Sequence, residues 1–127
     1  MKIALDTNRY TDFCRGEAAV VEHIARAEKI FLPFVVLGEL RAGFQLGTRA
    51  KQNESNLTRF LNSPRVTLLL PDEQTTHHYG NVFAQLRKQG TPIPTNDIWI
   101  AALVRQHDLI LLARDKHFDH LPQLARL

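Results

Sequence analysis

Short apolar runs alternate with longer segments whose apolar positions recur at helical spacing. Ile3–Leu5, Val66–Leu70 and Leu109–Ala113 are almost unbroken apolar runs, and Ile30–Leu32 is a weaker fourth. Runs this short without polar alternation predict strands covered on both faces, as in a parallel sheet. Between them, Glu17–Glu28 carries Val20, Val21, Ile24 and Ala27 on one helical face. Pro33 suits a first helical position, and that helix is expected to run to about Leu46. Arg49–Leu61 is a more polar helix with Leu57, Phe60 and Leu61 as its contacts. Asp72 is placed to cap a long helix reaching Lys88, with Gly90 as its stop. Thr95 or Asn96 caps a helix from about Asp97 to His107. The order, βα–βαα–βα–αβ, predicts one α/β domain over residues 1–127 with a central, mainly parallel sheet.

Composition narrows the function classes. The chain has 127 residues, 44% hydrophobic and 23% charged, which suits a packed globular domain and not a disordered one. Its one cysteine, Cys14, excludes a disulfide scaffold and a cysteine-rich zinc site. Lys2 and Asp6 interrupt the N-terminal segment, which therefore does not look like a signal peptide. No stretch has the ~18 uncharged apolar residues of a membrane span, so the expected setting is cytoplasmic. The net charge of +3 permits an anionic partner without requiring one.

The common catalytic motifs are missing. Gly38–Gly43 has the glycine spacing of a phosphate loop, but Phe44-Gln45 stands where Lys and Ser or Thr are needed. Ser55 and Ser63 lie in no nucleophile elbow. His117 and His120 flank Asp119, a pair that reads as a solvated turn rather than a metal site, and Cys14 reads as an idle thiol.

Most of the thirteen carboxylates have ordinary explanations on helix faces or in turns, and Asp12 and Asp72 suit helix starts. Four do not. Asp6 ends the first strand, where open α/β sheets bind ligands, although it could equally cap the next helix. Glu39 sits on a stripe formed by Val35, Val36, Ala42 and Gly43, and a carboxylate near the interior needs a cation or a metal. Asp97 opens an almost wholly apolar helix, a position that the helix dipole alone would also favour. Asp115 repeats the placement of Asp6 at the end of the last strand. Carboxylates gathered at one sheet edge repel one another, and hard divalent cations such as Mg²⁺ or Mn²⁺ are the simplest reason to keep them. Such ions bind phosphate oxygens and can activate water against a phosphodiester, without a side-chain nucleophile.

Leu5-Asp6-Thr7-Asn8, Gly38-Glu39-Leu40, Pro94-Thr95-Asn96-Asp97-Ile98-Trp99 and Leu112-Ala113-Arg114-Asp115-Lys116-His117-Phe118 resemble, in order and spacing, the PIN-domain family, specifically its VapC-type toxin ribonucleases. The resemblance covers essentially the whole chain. It implies a Rossmann-like α/β/α sandwich and Mg²⁺- or Mn²⁺-dependent endonuclease action on RNA, with Asp6, Glu39, Asp97 and Asp115 as the acidic ligands. It also implies a homodimer neutralised by a small antitoxin that itself binds DNA. Asn8 and Asn96 are candidates for steering a carboxylate or a water. Arg9, Arg41, Arg114 and Lys116 are candidate RNA contacts, with a merely solvated face as the plain alternative. Many relatives carry Thr or Ser where this chain has Ala113, and an apolar residue where it has Arg9. An apolar groove for the antitoxin is expected around Leu37, Leu40 and Phe44. The rival functions are a PIN-type RNA-binding module without strong catalysis and a phospho-accepting receiver domain. The second lacks an acidic neighbour beside Asp6.

Overall fold

The computed structural model describes residues 1–127. Four parallel strands form its sheet: β1 (Lys2–Leu5), β2 (Lys29–Pro33), β3 (Val66–Leu69) and β4 (Ile110–Leu112), in the order β3-β2-β1-β4. Parallel neighbours need long crossovers. Here each is a pair of helices: α1 (Thr7–Cys14) and α2 (Ala18–Arg26), α3 (Phe34–Leu46) and α4 (Ala50–Leu61), α5 (Glu73–Gln89) and α6 (Thr95–Gln106). A 3₁₀ turn, Lys116–His120, follows β4.

The chain steps outward from β1 to β2 to β3, then returns past both to place β4 on the far side of β1. The order reverses between β1 and β4, and a crevice opens beyond the carboxyl ends of strands at such a point. Ile3, Ala4 and Leu5 pair with Ile110, Leu111 and Leu112. Asp6 and the segment after Leu112 therefore leave the sheet side by side, and the Asp6 amide still donates to the Leu112 carbonyl at 3.1 Å.

The weakest predicted strand, Ile30–Leu32, lies inside the sheet, flanked by β1 and β3. Pro33 does not begin α3: it is still in register with Leu69, its ψ of 143° is extended, and the helix starts at Phe34. A separate helix, α1, occupies the segment after Asp6, so two helices rather than one join β1 to β2. Gly90 stops α5 in the left-handed region at φ 70°, as its position predicts.

The core is continuous from the strands to α6, where Ile98 and Ile100–Val104 are all buried. Such a helix is apolar around most of its circumference, so its first turn is enclosed with it. Leu37 and Leu40 belong to this core. The expected antitoxin groove is thus not formed by Leu37; Leu40 and Phe44 line only a small pocket of about 120 Å³. Residues beyond the 3₁₀ turn close the outer edge of β4: the Leu111 amide donates to Ala125 (2.8 Å) and the Leu127 amide to Leu111 (3.0 Å). Arg126 donates to the carbonyls of Ala113 and Asp115, holding the segment after β4 from outside. No helix is long and apolar enough to cross a membrane.

Candidate metal centre

Four elements bring Asp6, Glu39, Asp97 and Asp115 to the crevice beyond β1 and β4. Asp6 occupies the N-cap position of α1, yet its side chain makes no capping bond to that helix. It is only 4% exposed. Burial raises its pKa from 3.8 to about 6; the Thr7 amide opposes this, and the charges of Asp97, Glu39 and Asp115 add to it. That mutual influence identifies the four as one electrostatic cluster.

Asp97 lies in the first turn of α6 and is 8% exposed. Its pKa is also raised, by burial first and by Asp115 and Glu39 besides, while His117 pulls the other way. Glu39, half-buried on α3, accepts a hydrogen bond from the Thr7 hydroxyl at 2.8 Å. Asp115 caps the 3₁₀ turn, accepting from the His117 amide at 2.9 Å. A cleft of about 410 Å³ is lined by Glu39, Asp97, Asp115 and His117 together with Pro94, Thr95 and Asn96.

His117 is the residue that the sequence undervalued. Its Nδ1 lies 2.8 Å from Asp97 Oδ2 and 3.0 Å from Asp115 Oδ1, a brace between two carboxylates rather than a solvated turn. The signal was there: an imidazole two residues after an acid at a strand end is on the same side of a tight turn as that acid. His120, its expected companion, is exposed and stands apart from the cluster. Thr7 was passed over as well.

The other candidates separate. Asn96 lines the cleft, whereas Asn8 is exposed on α1. Arg41 is paired with Glu54 across α3 and α4 (2.8 Å), and Lys116 is exposed beside Asp115. Arg9 and Arg114 both reach Asp12, at 3.2 and 2.9 Å. Asp12 is therefore not a helix-start residue. It lies in the second turn of α1, buried, because two guanidinium groups compensate its charge there.

The donor chemistry suits a hard divalent ion. The carboxylates offer oxygen, the preferred donor of Mg²⁺ and Mn²⁺. No lysine or arginine side chain pairs with Asp6, Glu39, Asp97 or Asp115. Asp97, Asp115 and His117 each present a ligand atom within 4.8 Å of the others. A buried carboxylate with a raised pKa and no cation beside it is short of positive charge.

Comparison with known proteins bears on what this cleft belongs to. The PIN domain family model matches residues 3–124. This chain belongs to the PIN-domain family. Its curated relatives include Ribonuclease VapC2 of Haemophilus influenzae, 36% identical over 91% of this chain and 87% of that protein. Among solved structures, VapBC-1 from nontypeable Haemophilus influenzae superposes with a TM-score of 0.87 at 26% identity, covering 100% of this chain and 97% of that one. VapBC2 from Rickettsia felis, solved bound to a DNA fragment from its promoter, gives 0.86 at 25% identity, with 100% and 98% covered. The PIN assignment accounts for the mixed α/β architecture and parallel sheet.

Proposed function

We propose that this PIN domain is a metal-dependent endoribonuclease, the toxin of a toxin–antitoxin pair, and that Asp6, Glu39, Asp97 and Asp115 are its working residues. The observation that carries the proposal is the cleft at the β1/β4 crevice, lined by Glu39, Asp97 and Asp115 with no arginine or lysine among them, and the buried Asp6 within reach of their charge. The VapC relatives are named ribonucleases, which supports RNA as the substrate.

Asp6, Asp97 and Asp115 would hold Mg²⁺ or Mn²⁺, with Glu39 completing the set. When bound, the ion supplies Lewis-acid polarisation of a phosphoryl oxygen and a water acidic enough to attack at neutral pH. Glu39, steadied by the Thr7 hydroxyl, faces the cleft from α3 and orients the attacking water. His117 bridges Asp97 and Asp115, and Asp6 directly follows the β1–β4 ladder, its amide donating to the Leu112 carbonyl. The scissile phosphate is then attacked in line by water. The products are a 3′-hydroxyl and a 5′-phosphate, and the ribose 2′-hydroxyl takes no part.

The solved VapBC relatives are toxin–antitoxin assemblies, one of them on promoter DNA. By extension this chain works in the cytoplasm as a homodimer that a small antitoxin neutralises, and it meets DNA only through that partner. The test is end-mapping of cellular RNA after brief expression of the chain and of Asp6→Ala. Growth arrest with new 5′-phosphate ends from the parent alone supports the proposal. Cleavage that survives chelation, or ends that are 2′,3′-cyclic phosphates, overturns it.

A further inference from the structure

The buried carboxylate of Asp12 is the strongest charged feature outside the cleft. Its side chain is 8% exposed, on a helix that packs against the core. Burying a charge costs free energy unless it is well paired. Two cations pair with it, one from its own helix and one from the far end of the chain. Arg9 reaches it from one turn earlier on α1, through Nη1, and touches Glu17 with the same nitrogen at 3.5 Å. Arg114 arrives from the end of β4 and grips it side-on, with Nε 2.9 Å from Oδ2 and Nη2 3.4 Å from Oδ1.

These grips leave the two arginines in different states. Arg9 is mostly buried and shared between two carboxylates. Arg114 remains 49% exposed, and its Nη1 has no protein partner. It immediately precedes Asp115, a residue that lines the cleft, and the Asp12 carboxylate foremost, with Asp6 a minor contributor, strengthens its hold on its proton. A partly exposed ion pair contributes little stability. What this one does contribute is direction: the Asp12 carboxylate sets the plane of the guanidinium of the residue next to Asp115, which lines the carboxylate cleft. A guanidinium edge matches phosphate oxygens in a way that an ammonium does not.

We propose that Asp12 is a positioning residue that fixes Arg114 at the rim of the cleft, so that the free edge of Arg114 takes a non-bridging oxygen of an RNA backbone phosphate next to the one cleaved. This rests on the ribonuclease reading of the cleft. It also separates Arg114 from Arg41, whose guanidinium is committed to Glu54.

The experiment measures anisotropy of a labelled, mixed-sequence single-stranded RNA in chelator over a range of salt concentrations, alongside steady-state cleavage with Mn²⁺. Arg114→Gln is expected to weaken binding on the order of tenfold and to reduce the salt slope by about one. Asp12→Asn is the sharper variant. It raises the net charge from +3 to +4, so bulk electrostatics alone would tighten RNA binding. Positioning requires the opposite: binding a few-fold weaker, the salt slope kept, and a raised KM with little change in kcat. Arg114→Lys keeps the charge but loses the fork, and is expected to bind weakly with the parent slope. Should Asp12→Asn melt before assay, the two Arg114 variants decide the matter. An Arg114→Gln protein with the parent's slope, or Asp12→Asn binding RNA more tightly than the parent, overturns the proposal alone. A parent chain that neither binds nor cuts RNA overturns it together with the ribonuclease reading.

Discussion

Asp6 and Asp72 stand at equivalent places and have opposite fates. Each follows a strand, β1 or β3, and each occupies the N-cap of the next helix. Asp72 behaves as a cap. Its carboxylate accepts from the Thr75 amide, the Thr75 hydroxyl accepts from the Asp72 amide in return, and Gln106 donates to it at 2.8 Å. Those donors, Gln106 foremost, hold its pKa below the usual carboxylate range. Asp6 caps nothing, is buried among other acids, and is pushed up to about 6. Position in the chain sets where a carboxylate goes. The donors that meet it there decide whether it is consumed by structure or kept available for an ion.

The largest expected effect that separates the two is on chemistry. Asp6→Asn should lower Mn²⁺-dependent cleavage by at least about 10²-fold, since it removes a charge from the centre proposed to hold the ion. Asp72→Ala should stay within about twofold of the parent, because its contacts are confined to its helix start and Gln106. Comparable losses in both variants, read as kcat/KM, would erase the distinction.

The second difference is in pH dependence, and its signs are opposite. The raised pKa of Asp6 means that its contribution stabilises the fold below 3.8 and is lost as pH rises through about 6. That span corresponds to on the order of 3 kcal/mol, lost between about pH 4 and pH 6 in the metal-free protein. The lowered pKa of Asp72 works the other way: its contribution is present at neutral pH and disappears on acidification. Chemical denaturation without metal, parent minus Asp6→Asn, should show stability falling with pH over that window. A flat difference would mean that Asp6 is solvated. Metal affinity should rise over the same window, because the ion needs the carboxylate deprotonated.

A smaller effect belongs to His117. His117→Ala removes the brace between Asp97 and Asp115, and the two acids then repel without relief. The metal-free melting temperature should fall by a few degrees at neutral pH. Saturating Mn²⁺ should restore most of that loss. A fall that Mn²⁺ leaves untouched would assign His117 to packing. The smallest change is expected at the cap itself: the exposed Asp72→Ala lowers the melting temperature by about 2 °C, with or without metal.

The sequence was most readable where one signal dominated. Val66–Leu69 and Ile110–Leu112 are apolar runs, and the Asp72 and Gly90 signals bound α5 as expected. Pro33 misled because the geometry that suits a helix start also suits the last residue of a strand, and pairing with Leu69 decided between them. The acidic cluster was legible because its members sit where polar residues have no local reason to be. Asp12 and Thr7 were not, since each looks ordinary within its own segment, and His117 was legible only through its spacing from Asp115. Asp12 is explained only by Arg114, which lies 102 residues away.

The central place of β1 also orders events in time. Ile3 must wait for Ile110, and Leu111 in turn for Ala125 and Leu127, before that side of the sheet is complete. Contacts so remote in sequence form late. A growing chain therefore carries Asp6, Glu39 and Asp97 for most of its synthesis with no crevice to hold them. A fragment ending before Ile110 is expected to remain protease-sensitive and to gain no protection from Mn²⁺. Completion of the cleft would then wait until nearly the whole length of the chain has emerged.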